Sequence, residues 1–211
     1  MHLIFEPDSP IMQFLNRFST LIILNILFLC TCIPIFTIGA SLAALYDVVF
    51  RLDTDREGKT VRAYFRAFRS NFRQSTPVWL VFLTVIVTSC INITYFSNMG
   101  SSFGHLLFVI SAVILVNCML VFGYAFPLIS QFDNTFRNTL KNSLLLSVAN
   151  LPRTLILAVI NCFPWALLLM NLYTFIQLSF LWLVLYFAAA AYFNSRVLMK
   201  IFNDLKEQSA T

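Results

Sequence analysis

The chain alternates long uncharged runs with short basic ones. No Asp, Glu, Lys or Arg occurs in Phe18–Tyr46, Pro77–Phe96, His105–Ile129, Leu155–Leu172 or Phe175–Phe193. Each of the last four is near the ~17–25 residues that cross about 30 Å of hydrocarbon as a helix. The pattern therefore predicts membrane helices over 77–96, 105–129, 155–172 and 175–193, the last two joined by a tight turn. Carried on through Asp47 to Phe50, the first run is 33 residues, roughly 50 Å of helix at ~1.5 Å per residue. That is more than ordinary tilt absorbs. Pro34 removes a backbone donor and Thr37 is placed to cap a new helix, so a hinge is expected at Pro34, Thr37 and Gly39. The reading is two helices, about 12–33 outward and a short return over 38–52 that packs against protein rather than lipid. A five-span arrangement with the N-terminus outside is the alternative.

The basic residues set the sidedness. Arg51 to Arg73, Arg137 to Arg153 and Arg196 to Lys206 hold all but Arg17 of the 14 Lys and Arg. The turns at 97–104 and 172–174 hold none. Short Lys- and Arg-rich loops stay cytoplasmic. With the hairpin reading, both termini of a multi-pass membrane protein are expected in the cytoplasm. "MHLIFEPDSP" has neither a basic n-region nor a small-residue cleavage site, so no cleavable signal peptide is expected.

Two polar segments have helical period. In 59–74, Arg62, Arg66, Arg69 and Arg73 form one stripe, with Val61, Phe65, Phe68 and Phe72 about 100° away. In 133–150, Phe136, Leu140, Leu144 and Val148 share a face beside Arg137 and Lys141. Both read as cytoplasmic interfacial amphipathic helices, aromatics in the headgroup boundary and arginines toward anionic lipid phosphates.

Composition agrees with a membrane protein. The chain has 211 residues, of which 59% are hydrophobic and only 11% charged, and a mean hydropathy of +0.82. Soluble domains carry about 25% charge. The net charge of +5 is concentrated at span ends, so no nucleic-acid partner is expected. The fold class is an all-α polytopic bundle of five to six membrane segments in one domain, with the two interfacial helices.

The motifs "NILFLCTCIPIFTIGASLAALYDVVFRL" and "FRAFRSNFRQSTPVWLV" resemble the YesL-like family of bacterial integral membrane proteins. The residues that carry the likeness are Asn25, Pro34, Thr37, Gly39, Ala43, Tyr46, Phe65, Phe68, Asn71 and Phe72. Ala40 stands where the family pattern has a proline. The resemblance implies a protein associated with carbohydrate ABC importers, with an activity that is largely undefined.

The chemistry available is sparse. The clear spans hold no ionisable carboxylate or base of the kind an ion-coupled carrier keeps mid-membrane. Asp47 and Arg51, at i, i+4 spacing, predict an ion pair near the interface. Gly39 with Ala43, Ala40 with Ala44, and Ala188 with Ala191 give small-residue faces for close helix packing, within the chain or with a partner. Scattered amides, among them Asn25, Asn117, Asn161 and Asn194, read as helix–helix glue. His2 and His105 stand alone, the five cysteines lie in apolar runs, and no phosphate-cradling loop, zinc motif or nucleophile elbow occurs. No catalytic, cofactor or metal site is expected. Two functions compete: a non-enzymatic accessory subunit packed on the permease of a carbohydrate ABC importer, and a stand-alone pore or facilitator for a small solute.

Overall fold

The computed structural model describes residues 10–52, 60–99 and 101–210. Lys59, where the first amphipathic helix is expected to begin, lies outside them. The helices are α1 (Pro10–Cys32), α2 (Ile38–Arg51), α3 (Thr60–Ser97), α4 (Ser102–Gln131), α5 (Phe136–Ala149), α6 (Leu151–Met170), α7 (Leu172–Gln177), α8 (Ser179–Leu181) and α9 (Phe187–Ala210). A 3₁₀ turn at Ile35–Thr37 precedes α2, and a π-helical turn at Trp182–Tyr186 precedes α9. The described residues form no strand.

Four stretches are long and apolar enough to cross a membrane: Ile11–Cys32, Thr60–Ser97, Ser102–Gln131 and Ser179–Asp204. The pair Phe136–Ala149 and Leu151–Pro164, bent by 105°, makes a fifth if counted as one span. The expected six-segment form is not seen, because residues 38–52 do not recross. At ~1.5 Å per residue, the 14 residues of α2 reach about 21 Å.

The chain breaks at Pro34 as expected but does not turn back. The Asn25 side chain meets Leu183, and the Phe28 ring lies 5.4 Å from that of Phe187. Farther on, Tyr46 meets Asn194, and the Phe50 ring lies 5.8 Å from that of Phe202. Positions 25, 28, 46 and 50 thus meet 183, 187, 194 and 202 in order. Both α1 and α2 therefore run in the sense of the last helix, so α1 begins at the end of the bundle opposite to where α9 finishes. The break is held beside α3, since Trp79 Nε1 donates to the Ile35 carbonyl at 2.7 Å. Thr37 does not cap α2 through its side chain. Its hydroxyl instead donates back to the carbonyls of Thr31 at 2.5 Å and Pro34 at 2.6 Å, serving the frayed end of α1.

The segment 59–74 is not a separate helix either. From Thr60 the helix continues through Pro77 to Ser97 without interruption. Pro77 forfeits one bond, to the Arg73 carbonyl, and crowds that turn, but α2 packs across the join. The 38 residues make about 57 Å, so the arginine-bearing part extends past the hydrocarbon thickness of its own span.

The core lies at the basic end of the bundle and is centred on α2. Gly39 to Val49 are buried except for half-buried Leu42. Tyr64, Val78, Tyr124, Phe126, Leu198 and Phe202 surround them. Toward the other end α4 faces outward on most sides, burying only Gly104, Ser111 and Cys118 before Val121.

Candidate functional site: a buried helix held by amide clasps

Small residues allow α2 to enter the middle of the bundle. A Cβ on Gly39 would stand 2.5 Å from Trp79 Cβ, 2.7 Å from the Ser75 carbonyl oxygen and 3.0 Å from Phe126 Cε1. Ala40, Ala43, Ala44 and Ala188 are completely buried, and Ala191 nearly so. Of the two uses expected of these small-residue faces, packing within the chain or against a partner, the structure shows the first. Close backbone approach replaces the hydrophobic drive that is weak in lipid.

Asp47 is buried on α2 and accepts from Arg51 Nη2 at 2.7 Å, as its spacing predicts. Burial pushes the carboxyl pKa up, and the adjacent guanidinium opposes the shift by charge and by hydrogen bond. At the residue preceding Asp47, Tyr46 Oη accepts from Asn194 Nδ2 at 3.1 Å, and the same Nδ2 donates to Asn161 Oδ1 at 2.9 Å. This triad joins α2, α6 and α9.

A second clasp holds α1 to the last helix. Asn25 is fully buried. Its Nδ2 donates to the Leu183 carbonyl at 2.7 Å and that of Trp182 at 3.3 Å, while its Oδ1 accepts from Ala188 N at 3.0 Å. The amide is therefore inserted between the carbonyl and the N–H that a π turn would pair with each other. An inserted side chain of this kind accounts for the irregular stretch between Leu178 and Phe187. Tyr186 Oη donates to the Ile160 carbonyl, and the Trp182 ring packs against Phe163, Phe175 and Tyr186.

Arg62, Arg66, Arg69 and Arg73 are exposed together on α3. Phe65 is exposed, Phe68 and Phe72 are half-buried with rings 5.7 Å apart, and Tyr64 and Ala67 form the buried face. The Tyr64 hydroxyl meets Thr31 Oγ1 at 2.7 Å and donates to the Ser41 carbonyl at 3.4 Å. On α5 the apolar positions Phe136, Leu144 and Val148 point outward, while Thr139, Ser143, Leu146 and Ser147 pack inward. Gln74 Nε2 ties α3 to the Asn134 carbonyl and to Thr139 Oγ1, and Tyr124 Oη meets Thr154 Oγ1 at 2.8 Å. Sequence reasoning missed Tyr64, Gln74 and Tyr124. Each is a polar residue on a mostly apolar face, which is the only local sign of a cross-helix bond. Among the described residues no group of His, Cys, Asp and Glu is placed to hold a metal ion, and the cysteines are free thiols.

The family model "Protein of unknown function, DUF624" matches residues 21–93, from the Asn25 turn of α1 almost to the end of α3. Neither a curated protein nor a solved structure matches the chain. The matched stretch contains the Pro34 break, the whole of α2 and the arginine stripe, so the family signal coincides with the buried-helix arrangement.

Proposed function

We propose that this chain is a non-enzymatic accessory subunit of a carbohydrate ABC importer, seated against the permease in the bacterial cytoplasmic membrane. The observation that carries the reading is α2: a solute path along the bundle axis would need the space that Gly39 to Val49 fill. The buried amides of Asn25 and Asn194 bind backbone and other side chains, which suits a scaffold better than a carrier. The importer association rests on the YesL-like motif at Asn25, Pro34, Thr37 and Gly39, all within the DUF624 match. With its small-residue faces consumed internally, the chain would meet the permease through larger apolar side chains on its exposed helices.

In this reading the protein crosses five times, with the N-terminus outside and the basic ends of α2, α3 and α9 inside. Arg62, Arg66, Arg69 and Arg73 then stand at the inner leaflet and attract anionic lipid, at about 1 kcal/mol each. The test is affinity purification of the full chain in mild detergent from its native host, with identification of co-purifying chains. Permease subunits in stoichiometric amount are expected. Solute flux through the purified protein reconstituted alone, with no permease recovered, would instead promote the facilitator.

A further inference from the structure

We infer that this protein forms a parallel homodimer in the membrane through α4, with Asn117 of each copy hydrogen-bonded to Asn117 of the other. Asn117 is exposed. Its depth is set by packing: Phe122 lies against Trp79 and Phe82 of α3. Asn117, about 7.5 Å toward the opposite end of antiparallel α4, is level with about Ile86, near the middle of the uncharged Pro77–Phe96 run. An amide at this depth on the lipid face is costly unless it finds a partner.

One Nδ2 hydrogen is used within the helix, on the Val113 carbonyl at 2.9 Å. That leaves one N–H donor and the Oδ1 acceptor for use across an interface. A group with one spare donor and one spare acceptor is complementary to its own image, so two copies form two reciprocal bonds. All copies insert in the same orientation. A two-fold axis along the membrane normal therefore sets α4 against α4 in parallel, with like residues facing.

The surrounding face fits such an axis. Phe103, Leu106, Ile110, Val113, Asn117 and Leu120 recur at spacings of 3, 4, 3, 4 and 3. All are exposed except half-buried Leu120. This is the seam of a left-handed helix pair, in which a single polar residue sets register and partner number. Gly104, Ser111 and Cys118, the buried positions of the same stretch, lie about 130° around α4 from the centre of the seam, so the seam is left uncovered by α3. Lipid satisfies the apolar members of the seam, but it cannot satisfy the amide.

The experiment uses the full chain in lipid vesicles, with donor- and acceptor-labelled copies and energy transfer read against protein-to-lipid ratio. Wild type is expected to dimerise, Asn117→Gln to retain dimerisation, and Asn117→Leu to weaken it about tenfold, within the range for membrane hydrogen bonds. Leu at a lipid-facing position does not threaten folding, and an unchanged melting temperature checks this. In a variant with its native cysteines replaced, Val113→Cys is expected to cross-link two copies under mild oxidation, whereas Leu115→Cys, half-buried on the α3 side, is not. Absence of transfer in wild type overturns the proposal, as does dimerisation unaffected by Asn117→Leu. Capture of a different chain by Val113→Cys in cells, with no second copy, overturns it in favour of a hetero-contact. None of these outcomes bears on importer association, which the co-purification test decides separately.

Discussion

Replacing Asn25 with Leu tests whether a single amide holds the last membrane helix in its irregular form. Leu fills nearly the same space, so the cavity term is small and the loss is of hydrogen bonds. The Asn25 amide serves Ala188 N at 3.0 Å and the Leu183 carbonyl at 2.7 Å, with a weaker contact to Trp182 at 3.3 Å. Without it, one N–H and at least one carbonyl are left unpaired in a site closed to water. Each orphaned group costs about 1–3 kcal/mol, giving about 2–6 kcal/mol if the π turn persists. The helix has one escape, to shed its bulge and re-pair as a continuous α-helix. That rotates the segment before Phe187 and pulls Trp182 and Tyr186 from their contacts with Phe163 and Ile160. Escape therefore costs packing in place of bonds, and the lower end of the range, about 2 kcal/mol, is the expected minimum. Unfolding in mixed micelles with increasing SDS measures it, with Asn25→Gln and Asn25→Ala as companions. Both should lose stability too, Gln because its longer arm displaces the amide from the gap. A loss below about 0.5 kcal/mol for Asn25→Leu would refute the clasp.

Gly39→Ala places a methyl 2.5 Å from Trp79 Cβ and 2.7 Å from a backbone oxygen; melting in detergent should fall by about 1–3 kcal/mol. Gly123→Ala, where an added Cβ meets nothing within 4 Å, should be neutral or gain up to ~1 kcal/mol from helix propensity. Burial raises the folded pKa of Asp47 above its unfolded value, so its stability contribution is full below the unfolded pKa and lost as pH rises through the folded one. Arg51→Gln removes the opposing charge and should destabilise by about 1 kcal/mol at pH 7, Arg51 being largely exposed. The deficit should shrink as Asp47 protonates, and melting curves with a pH-independent deficit would count against the pair. Single cysteines at Gln13 and Arg62, in a cysteine-free variant, should label from opposite sides of the membrane; same-side labelling would restore the hairpin reading. Neutralising Arg62, Arg66, Arg69 and Arg73 to Gln should weaken enrichment of anionic lipid around the protein, measured by lipid co-purification at low and high salt.

Much of this protein is legible without a structure, because the signals are local. Long uncharged runs demand lipid, basic clusters mark one end of the bundle, and Pro34 must interrupt a helix. Asp47 and Arg51 meet because four residues make about one turn. Contacts between distant segments leave no such local mark. Whether the chain turns back after Pro34 depends on where α2 finds room. That room is made by Ser75, Trp79 and Phe126 around a missing Cβ at Gly39. Pro77 looks like a boundary, yet α2 packs across it and α3 runs on. Asn25 meets Leu183 from 158 positions away, and Asn194 meets Tyr46 from 148. The deeper reason lies in the solvent. In water an apolar stripe points inward, but in a bilayer both the protein interior and its surroundings are apolar. The hydrophobic pattern thus marks which segments enter the membrane without marking which faces meet. α5 illustrates this, with Leu144, Leu145 and Val148 outward and Ser143 and Ser147 inward. Small residues and hydrogen-bonding side chains decide those faces, and only the assembled tertiary structure reveals which of them have found partners.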